Sequence, residues 1–559
     1  MKKELKGIGA APGVGWGTAF LVDARLVFPP RHIPAHQAET EVERFERAIS
    51  LAQKEFGTLT KDRRRIGAEA EELVDFEKWI LEDKALNRAV ADRIKEERLS
   101  AFWVYWEETE KTSKALEASQ NSYIHDRSSD LRGVVRHVLT LLSPESGHPP
   151  TLPEQAILVA RHLSPLDLFR YPAERLSGIV LAEGGTTSHL VLCAASIGLP
   201  AVVIGLQIEQ IEAGSVLFVD GDKGEAIVSP GEAEHRLYQK FLAEKAKKQN
   251  ERSVWAARKG KTKDGRRVSV LANLQTVEEW EEAKKSGAEG VGLFRSEFLA
   301  AGGADFPLPS TQKQAYAEIL SKVSPLEVTV RAFDFGAEKI LGHESEENPA
   351  LGLRGVRLLL QYPAILKSQL KALSEAASFG HLKIMLPMVG SLEEFHSAKK
   401  MLSGSKKNIP LGIMVELPSA AMLAEEFARV ADFLSIGTND LIQYTLGVDR
   451  SNPKVAKYYE PFHPAVLRLL AKIANAGKKF KKPVSVCGQM AAHPWGIFLF
   501  VGLGIMELSV PVSALVETKK TLAQVDSQKA ARAVKKILEL TNVQEIKTEL
   551  EKALPKGAR

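Results

Sequence analysis

A histidine, a cysteine, three carboxylates, an asparagine and three arginines in this chain sit where their chemistry could be used together. His189 follows two glycines and three hydroxyl residues in 183-EGGTTSHLVLCAASIGLPAVVIG-205. The run GIVLAEGGTTSH reads as a strand, a glycine turn and the start of a helix. The hydroxyls of Thr186, Thr187 and Ser188 and the free N–H groups of a helix start favour an anion there. A neutral imidazole at that junction can attack phosphorus, and the arriving phosphoryl group would meet ready donors. A metal ligand or a capping histidine are the other readings, although no second His or Cys lies at ligand spacing.

The remaining candidates lie further along, each near the end of an apolar, β-rich run. Arg295 follows GVGLF (290–294), and Arg331 and Asp334 lie in and just after VTVRAF (328–333). Glu416 ends LGIMVE (411–416). Asn439 and Asp440 follow FLSIG (433–437), with Arg450 shortly after, and Cys487 ends the strand in PVSVCG (483–488). Separated oxygen ligands such as Glu416 and Asp440 suit Mg²⁺, which keeps several waters and takes few carboxylates. Arginines present planar donors matched to phosphate and carboxylate. Together they imply a small, multiply charged substrate bearing phosphate. A thiol with a tuned pKa moves a proton.

The elements that must position these groups can be read from the pattern. Eight strand candidates separated by helix-like segments run from residue 259 onward, the count and size of a (β/α)8 TIM barrel. In such barrels function gathers at the C-terminal ends of the strands, where these residues fall. Residues 145–230 have another texture, with short buried strands at 156–160, 177–183, 201–205 and 216–221. The glycine-rich start rejoins that α/β unit. Between them, residues 35–143 hold no proline and only three glycines, which predicts helices. Leu73, Phe76 and Ile80 share one helical face there. This block is mildly acidic, with 22 Asp+Glu against 18 Lys+Arg over residues 39–140, in a chain of net charge +5. Residues 231–258 lack Gly and Pro and predict a long connecting helix. The expected fold is therefore multidomain α/β. Residues 1–30 and 145–230 form an α/β domain, 31–144 an inserted helical bundle, 231–258 a linker helix and 259–559 a TIM barrel.

Bulk properties narrow the function classes. Two cysteines nearly 300 positions apart exclude a disulfide framework and favour a reducing, cytoplasmic setting. No run of about 18 apolar residues suggests a membrane span, and no apolar core after the first lysines suggests a secretory signal. The charge is too small to imply nucleic acid.

The chain resembles enzyme I of the bacterial sugar phosphotransferase system over essentially its full length. The residues that carry the resemblance are GGTTSH, GVGLFRSEFL (290–299), ENPALGLRGVR (347–357), GIMVELPSAA (412–421), LSIGTNDLIQYTLGVDR (434–450) and VSVCG (484–488). The resemblance implies a swivelling phosphohistidine domain in which His189 takes a phosphoryl group from phosphoenolpyruvate at Nε2. It then passes the group to a histidine of the carrier protein HPr. Glu416 and Asp440 would hold Mg²⁺. Arg295, Arg331, Asn439 and Arg450 would bind phosphoenolpyruvate, with Lys339 and Arg354 as further positive positions. Cys487 would handle the proton at the methylene carbon, and Ser164 would orient the histidine. The helical insert would dock HPr and the barrel would form a homodimer. The chain departs from the family pattern at Thr186, His162, Gln489 and Ala195, where an arginine is usual at the last.

Overall fold

The computed structural model describes residues 2–22, 30–59, 80–117, 122–142, 152–185, 188–300, 308–336, 346, 348–402, 408–450, 452 and 454–554. The chain divides into two compact units, Met1–Ala246 and Lys247–Arg559. Leu73 and Phe76 lie outside the described residues, whereas Ile80 is buried.

The first unit is built on an eight-stranded sheet. Its strands are β1 (Lys3–Lys6), β2 (Ile8–Ala11), β3 (Val14–Leu21), β4 (Ala156–Ala160), β5 (Leu176–Leu181), β6 (Ala201–Val203), β7 (Val216–Asp220) and β8 (Glu225–Val228), in the order β1-β8-β7-β3-β4-β5-β6-β2. The four central strands β3 to β6 run parallel, and the antiparallel strands flank them. β4 is buried at all five positions, as a strand covered on both faces must be. The glycine-rich start thus supplies three strands of the same sheet, as its texture predicts. β3 and β4 are neighbours in register from Thr18↔Ala156 to Leu21↔Val159. Helices Ala38–Leu59, Lys84–Glu97, Ala101–Glu117 and Ser122–Leu142 occupy the chain between them. These helices have their own core, in which Phe45, Ile94, Tyr105 and Val138 are almost fully buried. Asp83 caps one of them by accepting from the backbone N–H groups of Ala85 and Leu86.

Helix Glu232–Ala257 follows the sheet, within one residue of the expected connecting helix. The second unit is a closed barrel of eight parallel strands: β9 (Ser269–Leu274), β10 (Val291–Arg295), β11 (Glu327–Arg331), β12 (His381–Leu386), β13 (Leu411–Val415), β14 (Leu434–Ile436), β15 (Val484–Val486) and β16 (Glu507–Pro511). All eight overlap the apolar runs read from the sequence. Closure is made by β16 against β9, from Glu507↔Ser269 to Pro511↔Asn273. Amphipathic helices pack outside, such as Pro464–Phe480, which buries Val466, Leu467, Leu470 and Ile473 on one stripe. No described helix is long and apolar enough to cross a membrane.

Candidate active site at the barrel rim

The C-terminal strand ends bring a dense set of charges together. Arg295 is the last residue of β10 and pairs in register with Arg331, the last of β11. Arg331 is held from several sides. Its Nε donates to Glu297 Oε1 at 3.0 Å and its Nη2 lies 2.8 Å from the same oxygen, while its Nη1 lies 3.1 Å from Asp334 Oδ2. Burial opposes its charge, but Glu297 and Asp334 outweigh burial and raise its pKa. Arg354 grips the same Asp334 in a fork, Nε to Oδ1 at 3.1 Å and Nη2 to Oδ2 at 2.9 Å. Burial would raise the Asp334 carboxyl, yet the two arginines hold it below the usual range. Asp334 is therefore the acidic hub that fixes two cations.

Arg295 is treated differently. Its Nε is buried and has no hydrogen-bond partner among the described residues. Burial, with Arg331 beside it, lowers its pKa. A buried guanidinium without a full set of acceptors is a site that gains from an anion. Arg450 is more open, with Nη2 3.7 Å from Asp440 Oδ1. Lys339 lies outside the described residues.

Glu416 follows β13 and is 1% exposed. Its Oε1 accepts from the Met388 N–H at 2.6 Å. Burial, reinforced by Asp334 and Asp440, pushes its carboxyl up to about 8. Asp440 is in the first turn of helix Thr438–Leu446, which starts directly after β14. Among the described residues no group of three or more acid, histidine or thiol side chains forms a ready cation cage. Two carboxylates that repel one another across a buried rim nonetheless fit a divalent ion that keeps most of its other positions for water and substrate oxygens. Asn439, beside Asp440, accepts from the Gln489 N–H at Oδ1 (2.9 Å), and its carbonyl accepts from the Tyr459 hydroxyl (3.1 Å). It also borders a pocket of about 420 Å³ lined by Tyr459, Phe462, Gln489, His493 and Trp495.

Cys487 sits after β15 among Leu293, Met385, Met414 and Phe433. Its thiol donates to the Ile436 carbonyl at 3.6 Å and accepts from the Ser435 hydroxyl at 3.6 Å. Burial raises the thiol to about 11, against the pull of Ser435 and the nearby arginines. The strand end is close to helix Thr438–Leu446, since a Cβ at Gly488 would collide with Thr438 Oγ1. Only glycine lets the two rim loops approach so closely.

In the first unit, His189 opens helix His189–Ser196 with Ser188 at its N-cap, after Gly184 at φ +148°. Its backbone is described; its side chain and all of Thr187 lie outside the described residues. Ser164 is buried and exchanges hydrogen bonds with Asp167, its N–H and Oγ both donating to Oδ2 and its Oγ accepting from the Asp167 N–H. His162 Nε2 lies 3.1 Å from Glu183 Oε2. Sequence reasoning thus named Arg295, Arg331, Arg354, Glu416, Asn439, Asp440, Arg450 and Cys487, all of which lie at the strand ends, in the loops that follow or, for Asn439 and Asp440, in the first turn of the helix after β14. It missed Glu297, although that carboxylate sits two places after Arg295 in FRSEFL.

Three stretches match the family of phosphoenolpyruvate-utilising enzymes. They are its N-terminal region over residues 6–127, its mobile domain over 152–224 and its phosphoenolpyruvate-binding domain over 248–527. The phosphoenolpyruvate-protein phosphotransferase of Listeria innocua is 33% identical, covering 99% of this chain and 99% of the relative. That of Bacillus subtilis is 33% identical, covering 97% and 98%. A solution structure of Enzyme I (nEIt) is 27% identical over 44% of this chain and 99% of its own, with a TM-score of 0.34. With a third of its residues shared over nearly its whole length, the chain belongs to the phosphoenolpyruvate-protein phosphotransferases.

Proposed function

We propose that the protein moves the phosphoryl group of phosphoenolpyruvate to His189 Nε2 and then to a histidine of the carrier HPr, releasing pyruvate. The observation that carries this reading is the buried Arg295, whose Nε has no acceptor among the described residues, next to Arg331, which Glu297 and Asp334 hold. An anion is what that pair lacks. Arg295 and Arg331 hold the phosphate of the donor, and Arg450 with Asn439 holds its carboxylate end. Lys339 and Arg354 add positive charge around it. Arg354 acts partly through Asp334, which keeps both cations aimed.

The His189 imidazole attacks phosphorus, so an N–P bond forms as the P–O bond to the enol breaks. The leaving enolate takes a proton at its methylene carbon from the Cys487 thiol, giving pyruvate. A thiol raised to about 11 keeps its proton at neutral pH and is a donor rather than a thiolate base. Mg²⁺ held by Glu416 and Asp440 would neutralise the charge of the bound phosphate and enolate oxygens. Thr187 would supply a donor beside the phosphohistidine and Ser164 would orient the imidazole. The α/β sheet of residues 1–30 and 145–230 carries His189, the helical block 31–144 receives HPr, and the barrel forms the homodimer of a cytoplasmic protein. His189 must swing to the barrel rim and away again, because donor and acceptor are bound in different units.

The test is incubation with phosphoenolpyruvate labelled at phosphorus, Mg²⁺ and HPr. Acid-labile phosphate should appear on the wild type, not on His189→Ala, and should move to HPr. Label that persists in His189→Ala, or none on the wild type, overturns the reading. A second reading, a partner-binding regulator with weakened transfer, is favoured by Ala195, which leaves the helix after His189 without a basic residue in its last turn. Ala195→Arg separates the two: a large gain in transfer rate supports the weakened form.

A further inference from the structure

A buried polar network behind the rim has no part in the reaction described above. At its centre is Gln369, on helix Pro363–Ala376, 0% exposed among the apolar residues Leu366, Leu370 and Leu373. Its amide is used at both ends. Oε1 accepts from the Phe333 N–H at 3.1 Å. Nε2 donates to Ser296 Oγ and to the Tyr316 hydroxyl, both at 2.9 Å. Ser296 Oγ passes the chain on by donating to the Arg331 carbonyl at 2.6 Å. Ser296 and Tyr316 are also completely buried.

The location gives this network a purpose. β10 and β11 pair up to Arg295↔Arg331, and there β10 ends and turns away. On its other edge the chain after β11 continues to bond β12, the Ala332 N–H donating to Met385 at 2.8 Å. On the β10 edge no strand remains to receive the Phe333 N–H or to serve the Arg331 carbonyl. Gln369 and Ser296 take the place of the missing strand. They extend the ladder by side chains at the level from which Arg295 and Arg331 depart. Two guanidinium groups leave the sheet there from registered positions, so the spacing of the strand ends sets the spacing of the pair. We propose that Gln369, acting through Ser296, is a positioning residue that sets the spacing of the Arg295–Arg331 pair and so the fit of the phosphate group. This rests on the reading that the pair binds phosphoenolpyruvate.

Gln369→Met keeps the volume and removes the ties. Ser296→Ala removes the bond to the Arg331 carbonyl together with the one that Ser296 Oγ accepts from Gln369 Nε2. Both should raise KM for phosphoenolpyruvate about tenfold with kcat within about threefold, as expected when binding groups are misplaced slightly. The double variant should be no worse than the worse single one, because both act through one chain of bonds. Tyr316→Phe is the control. It removes one acceptor of the Gln369 amide and leaves the bonds to the Phe333 N–H and the Arg331 carbonyl in place, so it should lower the melting temperature and leave KM unchanged. If Gln369→Met and Ser296→Ala keep the wild-type KM, or Tyr316→Phe raises it as much, the network is packing alone and the proposal fails. If the wild type neither binds nor consumes phosphoenolpyruvate, the reading of the whole rim fails and this one with it.

Discussion

At the scale of single residues, the rim separates groups that are satisfied from groups that wait. Arg331 and Arg354 are held in fixed geometry by Asp334 and Glu297, while the Arg295 Nε and the Cys487 thiol are buried in states that suit a reaction partner. The thiol leads to a prediction. With the thiol raised to about 11, only about one molecule in a thousand carries a thiolate at pH 8, against roughly one in ten for an ordinary cysteine. Alkylation of Cys487 should therefore be slow at pH 8 and climb steadily towards pH 11. Cys487→Ala should cut pyruvate release by about 100-fold or more, the usual worth of a placed proton donor, while phosphoenolpyruvate binding changes little. Rapid alkylation at pH 8, mapped by mass spectrometry, or undiminished pyruvate release, would count against the donor role.

At the scale of elements, the C-terminal end of helix Glu232–Ala257 is tied down by a lysine. Lys519, on helix Leu515–Leu522 and 2% exposed, donates to the carbonyls of Ala256 (3.0 Å) and Gly287 (2.6 Å). Gly287 takes φ +80° there, and a Cβ on it would collide with Ala256 O. Burial, helped by Arg267, lowers the Lys519 ammonium to about 8, and a neutral amine still has a hydrogen for each carbonyl. Between pH 8 and 10.5 the unfolded chain keeps a proton on this lysine that the folded chain has lost, so stability rises with pH. The gain is up to about 3 kcal/mol across that window and is absent in Lys519→Met. Urea unfolding of both proteins from pH 7.5 to 10.5 should give curves that diverge; parallel curves would rule the effect out. Elements were the best-marked part of the sequence. Every barrel strand showed as a short β-rich run, because a strand buried on both faces must be apolar along its length. What stayed hidden were partners outside such runs. β8 is four residues long with little pattern of its own. Gln369 left a signal, a polar residue on the stripe of Leu366, Leu370 and Leu373, but only the fold reveals which backbone groups it meets. Glu297 and Asp334 stood in view beside their arginines, yet charge pairing depends on where strand ends turn, which spacing alone does not give.

At the scale of the whole molecule, the design divides labour. One unit carries a histidine at a helix start, the other a rim of arginines and carboxylates, and each has its own core. Most rim residues could be named from strand ends and Thr187 from the turn before His189, while Lys339, Arg354 and Ser164 needed a family resemblance to be singled out. The placement of the helical block has a further consequence. β3 and β4 are adjacent and parallel, yet well over a hundred residues separate them in the chain. An ordinary parallel connection needs about a dozen residues. Closing the longer segment as loose chain costs about 2 kcal/mol more in lost conformational freedom. A block that has already collapsed on Phe45, Tyr105 and Val138 shortens the effective tether before the strands meet. Order of folding is thus written into the connection, helices first and sheet afterwards. In refolding followed by pulsed hydrogen exchange, amides of residues 84–117 should become protected before those of β3 and β4, and protection of the sheet first would contradict it. The helical block is in this sense a clasp, and the strand pair at the centre of the sheet forms when it shuts.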